Sequence, residues 1–222
     1  MKLCLFDLDG TLLPGDSDHA FGEFVLALGW ADAAEFKQRN DAYFADYNSG
    51  TLDIHAYVDF VSQPWRRRPP AEFAQAMARF ASDVVQPMIR PVALELVASH
   101  QAQGDLVAIV TATNDVVTRP IANALGVQHL LATELQRDTS GQVTGRIQGV
   151  PCFRAGKIDK VGQWLQRQGL SWSSFDSSTF YSDSTNDLPL LEQVDQPVAT
   201  NPSPALEQLA QQRGWQVLKL FT

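Results

Sequence analysis

The stretch LCLFDLDGT, residues 3–11, places a short apolar run directly before two aspartates and a glycine turn. An apolar run of this length that stops at a glycine loop is typical of a strand buried in a parallel sheet. Two further stretches have the same form, LVAIVT at 106–111 and TFYSD at 179–183. The sequence therefore predicts three buried strands, each followed by polar side chains.

Helical patterns that end at glycine separate these strands from weaker strand candidates. The predicted helices are 91–103, 116–125, 157–168 and 204–213, and the weaker strands are 129–132, 197–200 and 216–220. Alternation of this kind is the sequence signature of an α/β fold with a parallel sheet. Residues 134–149 differ, because a Ser-Gly turn precedes the alternating stretch QVTGRI, and we expect a small antiparallel hairpin there.

Roughly 100 residues separate the first predicted strand from the second, many more than one crossover helix needs. This segment has helical spacing and is rich in aromatic residues. We expect a helical cap domain at 15–88, inserted into a core domain formed by 1–14 and 89–222. The predicted cap core consists of Phe21, Phe24, Leu28, Phe36, Tyr43, Phe44, Tyr57, Phe60, Val61, Phe73, Met77 and Phe80.

Composition excludes several classes of protein. A net charge of −8 argues against general binding to nucleic acid, and no apolar run approaches the roughly 18 residues of a membrane span. The first residues turn acidic too early for a signal peptide. Cys4 and Cys152 give no disulfide framework and fit two buried thiols in a reducing compartment. We therefore expect a cytoplasmic protein without nucleic-acid or membrane partners, and the oligomeric state stays open.

Polar residues at the ends of the three strands are the candidates for chemistry, because ligands bind at the carboxyl ends of parallel strands. They are Asp7, Asp9, Thr111, Asp183 and Asp187, joined by Lys157 at the start of a helix. Of the first pair, one carboxylate could attack a substrate while the other moves a proton. Asp7 with Asp183 would offer Mg²⁺ the hard oxygen ligands that it prefers, and Lys157 would bind an anion.

Structural interpretations of the same residues stay open at this point. Asp-Gly-Thr after Asp7 is also ordinary turn chemistry. Residues 184–186 could start a helix as capping residues instead of serving a metal site. Asp16 could pair with the ammonium group of a substrate, or Asp16 or Ser17 could cap the first helix of the insertion.

Taken together, the motifs resemble those of the haloacid dehalogenase-like phosphatase superfamily. In chain order they are DLDGT at 7–11, Thr111 after an apolar strand, Gly-Lys at 156–157 and DSTND at 183–187. The stretch NDLPL at 186–190 and the position of the insertion are similar to the phosphoserine phosphatase-like branch with a C1 cap. The resemblance implies a Rossmann-like core and a phosphomonoesterase.

The resemblance also implies how the phosphate is transferred. Asp7 would be the nucleophile that forms an aspartyl-phosphate. Asp9 would protonate the leaving oxygen and then activate water as a base. Thr111 and Lys157 would bind phosphate oxygens.

A Mg²⁺ cofactor is implied as well, held by Asp7, Asp183 and the main-chain carbonyl of Asp9. Asp187 would support the metal or the lysine, and Asn186 would also touch phosphate. Mg²⁺ and a lysine would offset the repulsion between a carboxylate and an anionic phosphate.

The second motif departs from the family pattern. Residues 111–115 read TATND, where phosphoserine phosphatases have a serine followed by glycines. The hydroxyl of Thr111 is kept, but the contact between main chain and substrate is not predicted by the resemblance. An acidic residue at Asp16 suits an amine, so phosphoserine, phosphohomoserine and histidinol phosphate are the first substrates to consider. A phosphotransferase or mutase of the same superfamily and a non-enzymatic phospho-accepting signalling module are the alternatives.

Overall fold

The computed structural model describes residues 1–221, apart from the side chain of Asn48. A sheet of six parallel strands forms its centre. These strands are β1 (Leu3–Phe6), β2 (Leu106–Asn114), β3 (His129–Thr133), β6 (Ser178–Ser182), β7 (Gln196–Thr200) and β8 (Gln216–Leu218). Their order across the sheet is β3-β2-β1-β6-β7-β8, so β1 lies between β2 and β6. The predicted α/β fold with a parallel sheet is confirmed.

The two remaining strands, β4 (Leu135–Arg137) and β5 (Val143–Ile147), pair antiparallel in a separate hairpin. The hairpin predicted within 134–149 is therefore confirmed. Its turn contains Gly141, whose φ of 83° is easy only for glycine.

Helices connect the strands. Between β1 and β2 they are α1 (Ser17–Ala27), α2 (Ala33–Ser49), α3 (Ile54–Ser62), α4 (Pro70–Arg79) and α5 (Gln86–Met88), with a π-helical segment Phe80–Val85 joining the last two. Helix α6 (Pro91–Ala102) also precedes β2, and the helices after β2 are α7 (Asp115–Ala124), α8 (Gly156–Arg167), α9 (Leu188–Leu191) and α10 (Pro204–Arg213). No helix within residues 1–221 is both long and apolar enough to cross a bilayer.

Both faces of the sheet are covered, which explains why its strands are continuously apolar. Alternation along β1 sends Cys4 and Phe6 to one face and Leu3 and Leu5 to the other. The Phe6 face packs against α7 and against helices that precede β2, α6 among them. The Leu5 face packs against α8, α9 and α10. Cys4 and Cys152 are buried free thiols, as expected.

The aromatic side chains of α1 and of the π-helical segment form the centre of the region between β1 and β2. The Phe21 ring meets the rings of Phe80 and Trp65 edge to face, at centroid distances of 4.9 and 6.1 Å. Phe44 was predicted to belong to this core, and that prediction is wrong. Its side chain is 56% exposed because it lies on the outward face of α2.

Strand β2 is longer than the sequence predicts. It was expected to end at Thr111, but it continues to Asn114 after a register shift. Beyond that irregularity Asn114 pairs with Thr133 of β3, so the backbone hydrogen bonding resumes. Thr111 therefore lies inside the strand, and Asn114 serves as the cap of α7.

Candidate active site

Asp7 follows β1 and stays within the hydrogen-bonding pattern of the sheet. Its N–H donates to the carbonyl of Tyr181 at 2.9 Å, which fixes the backbone beneath the carboxylate. The chain then turns tightly, because the N–H groups of residues 11–13 all donate to the carbonyl of Leu8. Gly10 has a φ of 73° in this turn, and a Cβ there would overlap Oδ2 of Asp183. The turn thus needs glycine both for its backbone and for the approach of a second carboxylate.

Lys157 joins the first and last motifs in a buried ion pair. Its Nζ lies 2.8 Å from Oδ1 of Asp7 and 2.7 Å from Oδ2 of Asp187, and its side chain is 2% exposed. The Ser182 hydroxyl donates to the same Asp187 oxygen at 2.7 Å. Burial alone would lower the pKa of Lys157, but Asp187 and Asp7 raise it above its ordinary value. Lys157 is therefore charged and sits beside the expected nucleophile.

The carboxyl group of Asp9 occupies a different environment from that of Asp7. Its Oδ1 accepts a 2.6 Å hydrogen bond from the N–H of Ser17, and its Oδ2 accepts one of 2.9 Å from the Thr113 hydroxyl. Burial, and then the charge of Asp16, raise its pKa well above the usual value. Asp7 is neutralised by Lys157, and burial raises its pKa only to about 6. Burial thus raises the pKa of both carboxyl groups, and Lys157 opposes that rise at Asp7.

Asp183 adds a further carboxylate beside Asp7 and Asp187, whose negative charges Lys157 alone does not balance. Burial raises the pKa of Asp183 to about 8, and the charges of Asp7 and Asp187 add to the effect. Among residues 1–221 no three His, Cys, Asp or Glu side chains converge on one point as metal ligands. Two carboxylates and a main-chain carbonyl nevertheless suit Mg²⁺, which takes few protein ligands and keeps its waters. Asp7, Asp183 and the carbonyl of Asp9 therefore fit this ion in donor type and charge.

Thr111 and Asn186, the two candidates for binding phosphate oxygens, form hydrogen bonds with main-chain groups. Thr111 is buried, and its hydroxyl oxygen accepts a 3.2 Å hydrogen bond from the N–H of Thr113. Asn186 donates to the carbonyl of Tyr47 at 3.4 Å, so it reaches across to α2. Neither contact involves the four clustered carboxylates directly.

Asp16 is exposed and caps α1, because its side chain accepts a 2.8 Å hydrogen bond from the N–H of His19. The capping interpretation of Asp16 is thus confirmed. Its charge also reaches Asp9 and Asp18, whose pKa values it raises.

Several residues near Asp9 and the start of α1 are not among the site residues predicted from the sequence. Thr113 orients the carboxyl group of Asp9, and Asp18 lies on α1 where it accepts hydrogen bonds from Tyr57 at 3.2 Å and Asn114 at 3.3 Å. Thr113 and Asn114 follow Thr111 in the stretch that departs from the family pattern. That departure was the one available signal, and the contacts of Asp18 depend on how α1 and α3 pack.

A further contact fastens α2 to the loop before Lys157. The guanidinium group of Arg154 donates to the carbonyl of Gly50 at 2.6 Å, at the C-terminal end of the helix. Arg154 adopts a φ of 52°, which is uncommon for a residue other than glycine. The same guanidinium group lies 3.5 Å from Oδ1 of Asn186. The region between β1 and β2 is therefore held against the strand ends that carry the site.

Comparisons with known proteins agree with this arrangement. A family model described as haloacid dehalogenase-like hydrolase matches residues 4–192. A protein of Neisseria meningitidis named histidinol-phosphatase is 39% identical over 217 residues, which are 98% of each chain. A phosphoserine phosphatase of Mycobacterium tuberculosis is 30% identical over 222 residues, covering 96% of this chain and 68% of its own.

Solved structures show the same fold. A Bordetella pertussis protein of unknown function superposes with a TM-score of 0.93 at 48% identity and covers 99% of both chains. A substrate-bound phosphoserine phosphatase superposes with a TM-score of 0.65 at 19% identity, over 98% of this chain and 92% of its own. With the motifs brought together at one sheet edge, and a family model that spans most of the sequence, the chain belongs to the haloacid dehalogenase-like hydrolases and is a phosphatase.

Proposed function

We propose that the protein is a magnesium-dependent phosphomonoesterase that uses Asp7 as its nucleophile. The observation that carries the proposal is the contrast between Asp7, paired with Lys157, and Asp9, which accepts hydrogen bonds from Ser17 and Thr113 and whose pKa is raised by burial and by Asp16. Two carboxyl groups whose pKa values are pushed apart are suited to separate roles as nucleophile and acid. A metal-binding set of Asp7, Asp183 and the Asp9 carbonyl accompanies them.

In the first step an oxygen of Asp7 attacks phosphorus and the ester P–O bond breaks. The leaving oxygen takes the proton of Asp9. Water then attacks the aspartyl-phosphate and gives its proton to Asp9, and the bond between phosphorus and Asp7 breaks to release phosphate. Mg²⁺, when bound, neutralises part of the phosphate charge. Lys157 holds Asp7 in place throughout, while Thr111 and Asn186 are the proposed contacts of the phosphate oxygens.

For the substrate we propose a small phosphorylated amine, with histidinol phosphate as the first candidate. The name of the Neisseria meningitidis relative supports this choice. Asp16 and Asp18 near the first turn of α1 support it independently, because carboxylates attract an ammonium group. Asp16 can cap α1 with one carboxylate oxygen and still present the other to a substrate.

Phosphate release from histidinol phosphate tests the proposal, with phosphoserine as the comparison substrate. We expect turnover with Mg²⁺ and none after chelation, with recovery when Mg²⁺ is returned. Ca²⁺ should not restore turnover, because its longer bonds and larger coordination number suit the site poorly. Full turnover in chelator would contradict the metal assignment.

The Asp7→Asn variant tests the nucleophile. An amide of nearly the same shape is a far poorer nucleophile and metal ligand, so turnover should be lost while the circular dichroism spectrum is kept. A tenfold change in rate corresponds to about 1.4 kcal/mol in the activation free energy. If the variant turns over within about tenfold of the unmodified protein, Asp7 is not the nucleophile. If the unmodified protein instead keeps a long-lived, acid-labile phosphate on Asp7 and releases none, the signalling alternative is favoured.

A further inference from the structure

The segment 201–203, which follows β7, contacts both loops that supply the proposed metal ligands. The side-chain amide of Asn201 donates to the carbonyls of Gly10 at 2.9 Å and Thr11 at 3.3 Å. Two residues later, the N–H of Ser203 donates to the carbonyl of Asp183 at 2.9 Å. One short segment is thus bonded to the turn after Asp7 and to the loop after β6.

These bonds are placed where the two loops meet. Gly10 lies against the Asp183 carboxylate so closely that a Cβ would overlap it. A change in the position of either loop would therefore alter the separation between Asp7 and Asp183. Because Mg²⁺ demands near-ideal octahedral geometry, that separation decides how well the two carboxylates can bind one ion.

Asn201 is itself held in place. Its Oδ1 accepts hydrogen bonds from the N–H groups of Leu220 at 2.7 Å and Phe221 at 3.1 Å, and its own N–H donates to the carbonyl of Leu218 at 2.7 Å. Its φ of 45° lies in the left-handed region, which asparagine tolerates better than most residues. Both the oxygen and the nitrogen of the side-chain amide have partners, so the hydrogen bonds from the residues after β8 fix its orientation toward Gly10 and Thr11.

We propose that segment 201–203 positions the two ligand loops, so that Asn201 and the main chain of Ser203 set the affinity for Mg²⁺ without touching the ion. The inference rests on the proposed metal site of Asp7, Asp183 and the Asp9 carbonyl. Groups that hold metal ligands from behind commonly change metal affinity by about 10- to 100-fold when they are removed. Neither residue belongs to the motifs from which the site was predicted.

Ser203 offers a pair of variants that isolates one hydrogen bond. Its φ of −55° suits proline, so Ser203→Pro removes the N–H that donates to Asp183, and the ring carbon that replaces the hydrogen also displaces the Asp183 carbonyl. Its hydroxyl also caps α10 by accepting from Leu206, and both variants lose that bond. Ser203→Ala keeps the N–H and is the matched control. In calorimetric titration with MgCl₂, we expect the proline variant to bind about tenfold more weakly than the alanine variant.

Asn201 provides a second, independent test. Asn201→Asp keeps the oxygen that accepts from Leu220 but places another oxygen against the carbonyls of Gly10 and Thr11. Asn201→Gly suits the left-handed backbone and removes the side chain altogether. We expect both variants to bind Mg²⁺ about tenfold more weakly or worse. Urea unfolding without metal should show Ser203→Pro to be folded but less stable than Ser203→Ala, because the proline variant loses one more hydrogen bond.

The outcomes separate this inference from the proposed function. If the unmodified protein binds Mg²⁺ and the proline, aspartate and glycine variants bind it equally well, segment 201–203 does not position the site. If the unmodified protein itself fails to bind Mg²⁺, the proposed metal site is wrong and the inference falls with it. If Ser203→Pro does not fold, the two Asn201 variants decide.

Discussion

The hydroxyl of Thr113 donates a 2.9 Å hydrogen bond to Oδ2 of Asp9, across 104 residues of chain. The other oxygen of the same carboxyl group accepts from Ser17, the first residue of α1. Asp9 is therefore oriented from two sides, by a strand of the parallel sheet and by a helix of the region inserted between β1 and β2. The orientation of this carboxyl group therefore depends on both elements.

Asp9→Asn should separate the two halves of the reaction. General acid–base catalysis is worth roughly 10²- to 10⁴-fold, so turnover of an alkyl phosphate should fall by about that factor. With para-nitrophenyl phosphate the leaving group needs little protonation, so the first step should suffer less and phosphorylated Asp7 should accumulate. Rapid quenching and mass spectrometry measure that species. Equal losses on both substrates without a trapped intermediate would leave Asp9 as a turn residue.

Lys157→Met should destabilise the protein strongly. It removes the ammonium group buried between Asp7 and Asp187, and breaking a buried pair by deleting one partner costs about 3–5 kcal/mol. The double variant Lys157→Met, Asp187→Asn removes one of the stranded charges and should recover part of the loss. Urea unfolding in metal-free buffer measures both. A double variant less stable than the single one would contradict this account of the ion pair.

Alanine substitutions at two glycines with similar backbone angles separate the cost of backbone strain from the effect of a steric overlap with Asp183. Gly10 and Gly29 have φ values of 73° and 68°, but only Gly10 faces a neighbour, Asp183, where a Cβ would stand. Gly29→Ala should cost about 1–2 kcal/mol in stability and leave turnover unchanged. Gly10→Ala should cost at least as much and also weaken Mg²⁺ binding, because Asp183 must move. Unfolding and calorimetric titration test the pair, and equal Mg²⁺ affinities would show that Asp183 accommodates a methyl group.

Asp18 should make stability fall as the pH rises. Burial, with the charge of Asp16, raises its pKa to about 7 in the folded protein, above the ordinary value of 3.8. Between these values the folded state holds a proton that the unfolded state has released, so stability falls from about pH 4 to pH 7 and then levels off. Asp18→Asn should therefore be more stable than the unmodified protein at pH 8, with the difference vanishing below about pH 4. Urea unfolding across this range measures it, and a pH-independent difference would exclude the carboxyl group as the cause.

Patterns in the sequence predicted the strands and helices whose signals are local. The strands that carry Asp7 and Asp183 are continuous apolar runs, and the helices between them end at glycine, so both signals are contained within a few residues. The motifs that resemble the superfamily likewise placed Asp7, Asp183 and Lys157 at one edge. The ion pair of Lys157 with Asp7 follows from that placement.

Features that depend on distant packing were not predicted. The extension of β2 to Asn114 requires a register shift against β3, which no local pattern encodes. Thr113 and Asn201 look like ordinary polar residues in sequence, and their roles come from partners at residues 9–11. Phe44 was misassigned because a helix with aromatic residues on several sides does not reveal which face is covered.

The place of β1 in the sheet has a consequence for how the molecule acquires its structure. Leu3 pairs with Leu106 on one side and with Ser178 on the other, so β1 is synthesised before both neighbours and cannot complete its pairing until β6 has been made. Contacts so distant in sequence slow folding, because the entropy of closing long loops is lost before the contacts form and stabilise the chain. During that interval the apolar run 3–6 is exposed with both edges unpaired, a condition that favours aggregation. The N–H of Asp7, which donates to the carbonyl of Tyr181, therefore finds its partner only after β6 has been made.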